Sequence, residues 1–274
     1  MNVSKNAASL PIFTEAEVSM NKRFKLISWN IDGLDRLQHT LEERTRGVVA
    51  VIQREKPDAV FLQEVIPESL FLLNNSLSEY DFYTGYFVAI LTRRDILKVQ
   101  SHEVIPYPGT QMDRNLLIVH VIYEGSIEID LMTSHHESCQ PGADERIQQL
   151  KLCFKKMVET PANRIVLFGG DLNMRDNELV KAGDIPAGIC DLWIEMGKHQ
   201  EYAYTWDMQR NTNLDFSANN FQPRCRFDRL YFRAATSPMV KFKPVAFKLE
   251  GLEIIQSIQR FCSDHWAIQA EFEV

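Results

Sequence analysis

Eight apolar runs of strand length set the terms on which this chain folds. They are FKLISWN (24–30), AVFLQEV (59–65), FVAILTRR (87–94), NLLIVHVIYEG (115–125), IEIDLMTSHH (127–136), RIVLFGGDLN (164–173), RFDRLYFR (226–233) and DHWAIQAEFEV (264–274). Runs this short and this apolar read as strands buried in a sheet. Two segments between them carry helical spacing. Leu41, Val48, Val51 and Ile52 mark a helix over 37–56 that Pro57 stops, and Ile147, Leu150, Phe154 and Met157 mark another over 145–159 ahead of Pro161. Glu124-Gly125-Ser126 is a tight turn. Ile127, Ile129 and Leu131 alternate with Glu128 and Asp130, which predicts a half-buried strand. The last run likewise alternates Ile268, Ala270, Phe272 and Val274 against Gln269, Glu271 and Glu273. Strands and helices interleave without repeats, low-complexity runs or a linker. One α/β domain over 23–274 is expected, with the aperiodic residues 1–22 as a flexible N-terminal tail.

At 274 residues and 45% hydrophobic, the chain can bury one large core. No apolar stretch approaches the roughly 18 to 20 uncharged residues of a membrane span, and the N-terminus lacks a signal-peptide pattern, so neither membrane insertion nor secretion is expected. Cys139, Cys153, Cys190, Cys225 and Cys262 are an odd set without C-x-x-C or zinc spacing, which predicts free thiols. The net charge of -7 argues against nonspecific coating of nucleic acid, though a local basic face on an acidic body is compatible with it.

Four of the runs carry polar groups at one tip: SWN-ID-G, FLQE-V, LFGGD-LN, and SDH before WAIQ. A lone Asn or Asp after a strand is usually a turn cap. Four tips together point elsewhere, because loops at one edge of a rigid sheet are where catalytic groups are displayed. An Asn, a Glu, two Asp and a His converging there make a hard-oxygen site for one Mg²⁺, with a base and a positive charge beside it. Glu64 ends a run too apolar to hold an unpaired carboxylate. Asn30 can both donate and accept. Asp171 and Asn173, two apart in extended chain, face the same side. Gly169 and Gly170 leave room for a phosphate, and Gly33 for a turn away from Asn30; Asp32 either caps that turn or joins the site.

Together SWNIDGL, LQEV, GGDLN and SDHW resemble the endonuclease/exonuclease/phosphatase superfamily, whose members hydrolyse phosphoesters with Mg²⁺. The longer strings SWNIDGLD, FLQEVIP, RNLLIVHV, TSHHES, GGDLNMRD, YTWD, RFDRLYFRA and FCSDHW resemble the 5′-tyrosyl-DNA phosphodiesterases within it, over residues 24–274. The resemblance implies an α/β four-layer sandwich of two mixed β-sheets flanked by helices. It makes Glu64 the metal ligand, with Asn30 and Asp264 supporting the metal's waters, Asn30 also binding a substrate phosphate oxygen, and Mn²⁺ able to substitute for Mg²⁺. Asp171 orients and deprotonates the attacking water, Asn173 holds that water or the phosphate, and His135 contacts the phosphate. His265 supplies positive charge, oriented by Asp228 unless Asp228 instead pairs with Arg226 or Arg229. The sequence departs from the family pattern at His136, usually Leu, at Cys262, usually Pro, and in a shortened YDFYTGYF segment.

For substrate binding, Arg175 is placed to grip a DNA phosphate, and Tyr86 matches a family tyrosine beside the phosphate. Trp206, Leu214, Phe216 and Phe227 either wall a nucleobase or pack in the core. Arg224, Arg226, Arg229, Arg233, Lys241, Lys243 and Lys248 form either a basic face or ordinary solvated surface. The activity implied is hydrolysis of the bond between a 5′ DNA end, single-stranded or overhanging, and a protein tyrosine such as a trapped topoisomerase II adduct. A monomer in the nucleus, with a share in the cytoplasm, goes with that reading. Its rivals are another phosphodiesterase of the superfamily, such as an abasic-site endonuclease, and a binding module without activity, which would lack one of Asn30, Glu64, Asp171 and His265.

Overall fold

The computed structural model describes residues 22–214, 222–236 and 240–274. Residues 1–21, nearly all of the expected tail, and Phe216 lie outside the described residues. Lys22 belongs to the fold: its carbonyl accepts the Val274 N–H at 3.0 Å and its ammonium pairs with Glu124 at 2.7 Å.

The strands in chain order begin with β1 (Arg23–Asn30), β2 (Ala59–Gln63), β3 (Tyr80–Thr84), β4 (Val88–Arg93) and β5 (Leu97–Pro106). There follow β6 (Asn115–Tyr123), β7 (Ile127–Ser134), β8 (Ile165–Asp171), β9 (Ile189–Asp191), β10 (Trp206–Asp207) and β11 (Arg224–Cys225). The last are β12 (Asp228–Arg233), β13 (Lys243–Glu250), β14 (Ile254–Ile255), β15 (Arg260–Phe261) and β16 (Ala267–Glu273). Helices are α1 (Leu41–Glu55), α2 (Pro67–Ser76), α3 (Ala143–Glu159), α4 (Asp176–Lys181) and α5 (Leu192–Glu195).

Twelve strands form two six-stranded mixed sheets, ordered β13-β16-β1-β2-β4-β3 and β5-β6-β7-β8-β12-β9. Each contains one parallel pair, β1 with β2 and β7 with β8. Successive strand residues point to opposite faces, and here both faces are covered. Leu26 and Phe61 meet Val119, Leu131 and Leu167 between the sheets. On the first sheet's outer face Ile27, Trp29, Val60 and Leu62 pack under Val48 and Ile52 of α1 and Leu73 of α2. On the second sheet's outer face Met132, Val166 and Phe168 pack under Leu150, Phe154 and Met157 of α3. Three apolar cores therefore separate four layers, as expected, and burial on both faces is why the strands read as unbroken apolar runs.

Two burial expectations are corrected. β7 is not half-buried: Asp130 is 3% exposed, with Oδ1 2.8 Å from His120 Nδ1 and accepting from Arg164 Nε at 2.6 Å. A carboxylate met by two such partners can be buried, so charge alternation there does not mean solvent. In β16, Gln269 is buried as well. The five cysteines are free, as expected.

The site's placement follows from strand direction. The parallel pairs end at one edge of the sandwich, β16 runs antiparallel to β1, and β12 runs antiparallel to β8. Strand ends carrying Asn30, Glu64, His135 and Asp171 thus meet strand starts carrying His265 and Asp228.

Candidate active site

The cleft opens where the apolar strands give out. β1 and β2 stay paired to Asn30 and Gln63, and the Ile31 N–H makes one more bond, 3.0 Å, to the Gln63 carbonyl. Beyond it Asp32 (φ 53°) and Glu64 (φ 55°) adopt left-handed backbone, as Asn173 (φ 51°) does after β8. Non-glycine residues rarely take that conformation, and it concentrates at functional sites. Gly33 is there for close approach between loops: a Cβ would lie 2.1 Å from the Glu64 carbonyl oxygen. Gly169 and Gly170 do not clear space for a phosphate. A Cβ on Gly169 would meet Leu230, and one on Gly170 would lie 2.1 Å from the Ser134 carbonyl oxygen, so both serve packing within the sandwich.

One oxygen of Asp171 is the focus of the cluster. Asp171 Oδ2 accepts from Asn30 Nδ2 at 2.9 Å and lies 3.4 Å from His135 Nε2 and 3.8 Å from His265 Nε2. Its Oδ1 accepts the Asn173 N–H at 2.9 Å. Asn30 Nδ2 also donates to Glu64 Oε1 at 3.1 Å, while Asn30 Oδ1 accepts the Asp32 N–H at 2.9 Å. Asn30 therefore spans two carboxylates, and its own oxygen is taken by the backbone. Ser263 Oγ fastens the neighbouring strand, donating to the Asn30 carbonyl at 2.6 Å and accepting the His265 N–H at 3.0 Å.

The two imidazoles differ in protonation. An arginine can only donate, so His135 Nδ1, 2.9 Å from Arg114 Nη1, is the acceptor and Nε2 carries the proton toward Asp171 and Glu64. Burial lowers the His135 pKa to about 3, Asp171 opposing and Arg114 assisting, which leaves a neutral N–H donor. Burial also opposes charge on His265, but Asp228, Asp264 and Asp171 outweigh it and hold its pKa well above the ordinary value. His265 Nδ1 donates to Asp228 Oδ2 at 2.7 Å. Asp228 is fully buried, stands opposite Asp171 in the β8–β12 ladder, and has its N–H bonded to Thr205 Oγ1 at 3.1 Å. Arg226 and Arg229 are engaged elsewhere, with Asp191 at 2.6 Å and Asp176 at 2.7 Å.

Glu64, His135 and Asp171 are close enough to share a metal ion, as are Asp171, Asp228 and His265. Protonation narrows this choice. His135 presents an N–H, and His265 donates to Asp228, so the available ligand atoms are carboxylate oxygens. Burial and the neighbouring Asp264 raise the Glu64 pKa; burial and Asp264 push Asp32 up to about 9 despite Arg44. Crowded, desolvated carboxylates of this kind are relieved by a hard divalent cation. The donor set fits one.

Beside His265 lies an aromatic wall. The Trp206 and Phe227 rings are 5.6 Å apart, Phe227 is 6.5 Å from the His265 ring, and the Arg175 guanidinium stands 5.5 Å over Phe227. Trp206 Nε1 donates to Asp264 Oδ2 at 3.0 Å. Leu214 is half-buried. Tyr86 is 48% exposed and packs edge-on against Phe87 at the far side of the cleft. Of the cluster considered as a basic face, Arg224, Arg226 and Arg229 line one cavity together with Arg175, and each of the three also has an acidic partner. Arg224 pairs with Asp207, Arg226 with Asp191 and Arg229 with Asp176; Lys248 pairs with Glu55 and Glu250, and Arg233 caps backbone carbonyls. His136 faces away from the cleft, against Tyr107, Cys153 and Phe168. Arg114, Thr205 and Ser263 are the site residues that sequence reasoning missed. Each had a signal in the strings that carry the resemblance, since Arg114 heads RNLLIVHV, Thr205 lies in YTWD and Ser263 in FCSDHW, but none was singled out.

Residues 27–265 match the model of the Endonuclease/Exonuclease/phosphatase family. The chain is 44% identical over 255 residues to tyrosyl-DNA phosphodiesterase 2 of Bos taurus and of Homo sapiens, covering 92% of this chain and 68% of each relative. It superposes on the crystal structure of D. rerio TDP2 complexed with single-strand DNA product with a TM-score of 0.87, at 40% identity, covering 92% of this chain and 99% of that one.

Proposed function

The chain belongs to the endonuclease/exonuclease/phosphatase family, and from that premise we propose how its residues act: the protein hydrolyses the phosphodiester joining a 5′ DNA end to a tyrosine side chain, in DNA repair. The observation that carries this reading is the convergence on Asp171 Oδ2 of an amide, a neutral imidazole and a cationic imidazole, with the Trp206–Phe227 wall beside the last. Asp171 takes a proton from water, whose oxygen attacks phosphorus as the bond from phosphorus to the tyrosine oxygen breaks. Asn30 and Asn173 hold Asp171 in place. His135 Nε2–H donates to a phosphoryl oxygen, and the His265 cation offsets the charge that builds in the transition state. Glu64, with Asp264 nearby, would hold a divalent cation, which would supply Lewis-acid polarisation of the phosphoryl group. Carboxylate ligands without thiolate favour Mg²⁺, with Mn²⁺ as substitute. The leaving phenolate has a pKa of about 10, so it departs without a strong general acid. Products are a 5′-phosphate end and a free tyrosyl peptide.

Trp206, Phe227 and Arg175 support stacking and gripping of a single-stranded or overhanging 5′ end. Trapped topoisomerase II peptides are the adducts we assign to the enzyme. The catalytic groups all come from one chain, which supports action as a monomer, and a genomic substrate supports a nuclear location with a cytoplasmic share. The deciding experiment compares metal-dependent cleavage of 5′-tyrosyl, 3′-tyrosyl and abasic-site oligonucleotides and identifies the new ends. Release of tyrosine from the 5′ substrate alone, leaving a 5′-phosphate, is expected. Preferential incision of the abasic duplex overturns the assignment in favour of an abasic-site endonuclease.

A further inference from the structure

The substrate just assigned is a chimera, with DNA on one side of the scissile phosphate and protein on the other, so a cleft adapted to it has two unlike flanks. Strand order separates them. β16 and β12 carry the His265 side of the cleft, with Trp206, Phe227 and Arg175 beyond it. β4 and β6 lie on the opposite side, past the strands that carry Glu64 and His135. On that opposite side is a cavity of about 270 Å³ lined by Val65, Ile66, Pro67, Leu70, Tyr86 and Phe87, together with the rim residue Thr84. It begins one residue after the metal carboxylate, and the Val65 N–H is bonded to the Phe87 carbonyl at 3.2 Å.

Its chemistry is wrong for nucleic acid. None of its lining residues is charged. The groove on the other side of Pro67 carries Glu42 and Glu68 and no lysine or arginine, beside a Phe71 that is 68% exposed. A phosphodiester backbone would lie here without a single cation to meet it. An apolar side chain would not: the cavity has room for one of leucine or phenylalanine size, and its walls are already paid for by packing of α2 onto the sheet.

We infer that this cavity is the subsite for the protein half of the adduct, taking an apolar side chain that flanks the linked tyrosine. The inference rests on the phosphotyrosyl reading above. It makes the enzyme a reader of peptide sequence on one flank while it remains indifferent to base sequence on the other.

The test uses three 5′-linked oligonucleotides of one DNA sequence, carrying tyrosine alone, Gly-Tyr-Gly or Leu-Tyr-Leu through the tyrosine oxygen. With the intact protein, KM for the leucine-flanked substrate should be about tenfold lower than for the glycine-flanked one, the discrimination an apolar pocket commonly gives. Thr84→Glu, at the exposed rim, and Leu70→Asp, in the wall, should erase that preference and leave turnover of the tyrosine-only substrate unchanged. Equal KM for the two peptides in the wild type overturns the inference, as does equal loss on all three substrates in Thr84→Glu. If the wild type cleaves none of the three, the phosphotyrosyl reading itself fails, an outcome distinct from a lost leucine preference.

Discussion

Asp228→Asn isolates the charge that makes His265 a cation. The substitution keeps the shape of the side chain and an oxygen able to accept from His265 Nδ1, now 2.7 Å away, but removes the nearest of the three carboxylates that outweigh burial. A hydrogen bond to a charged partner is worth about 1.5–3 kcal/mol, which at 1.36 kcal/mol per pKa unit lowers the His265 pKa by about 1–2 units. The reaction needs the His265 charge, which is present below its pKa and lost above it, so the falling alkaline limb of the rate profile should move to lower pH by that amount. Stability moves with it. A histidine whose folded pKa is raised contributes stability that is full below its unfolded pKa and is lost as pH rises through the folded pKa. The wild-type thermal midpoint should therefore decline on the alkaline side, and the variant's decline should begin earlier and be smaller. Single-turnover cleavage of a 5′-tyrosyl oligonucleotide and thermal melts, both measured from neutral pH upward until the wild-type alkaline limb is complete, give both curves. An alkaline limb that superimposes on wild type, whatever the loss of rate, refutes the reasoning.

Three further substitutions test the site and its support. Asp171→Asn should lower the cleavage rate by at least about a hundredfold while oligonucleotide affinity is largely kept, since it removes the base and not the shape; parallel losses in a binding titration would make Asp171 structural. Glu64→Gln should shift half-saturation by Mg²⁺ to higher concentration in a metal titration of rate, and an unchanged midpoint would remove Glu64 from the metal. His136→Leu should stabilise the protein in acid: burial lowers the His136 pKa to about 3 and its Nδ1 is buried without a partner, so the folded state resists the proton that the unfolded chain binds below about 6.5. The gain at pH 5 should be about 2 kcal/mol by chemical denaturation and vanish near neutrality.

What the sequence made legible follows from where each strand sits. The eight runs recognisable as strands are the eight inner strands, four in each sheet, where neighbours and covering helices bury both faces. Within the two large sheets the strands left unread are the four at the edges, β3, β13, β5 and β9; the two-residue strands β10, β11, β14 and β15 were unread as well. β5 shows why: its residues from Gln100 to Pro106 are mostly exposed, and LKVQSHEVIP has no apolar run to detect. α2 was missed for a related reason, since its ten residues put only Ser69 and Leu73 into the core and leave Phe71 on the surface.

The site was legible for the opposite reason. A carboxylate or amide at the tip of a buried strand stands out against its run, which is how Asn30, Glu64 and Asp171 are found. Arg114, Thr205 and Ser263 act from loops whose local sequence needs no apolar contrast, and their importance lies in partners far along the chain: His135, Asp228 and Asn30. The glycines mark the limit most clearly. Gly33, Gly169 and Gly170 announce that a side chain is unwelcome, but not what takes its place. At Gly33 and Gly170 it is a carbonyl oxygen from another strand's end, and at Gly169 the side chain and backbone of β12. A missing Cβ looks the same in sequence whether a phosphate or a neighbouring backbone needs the room, and only the strand order, which brings Ser134 beside Gly170 and Glu64 beside Gly33, decides between them.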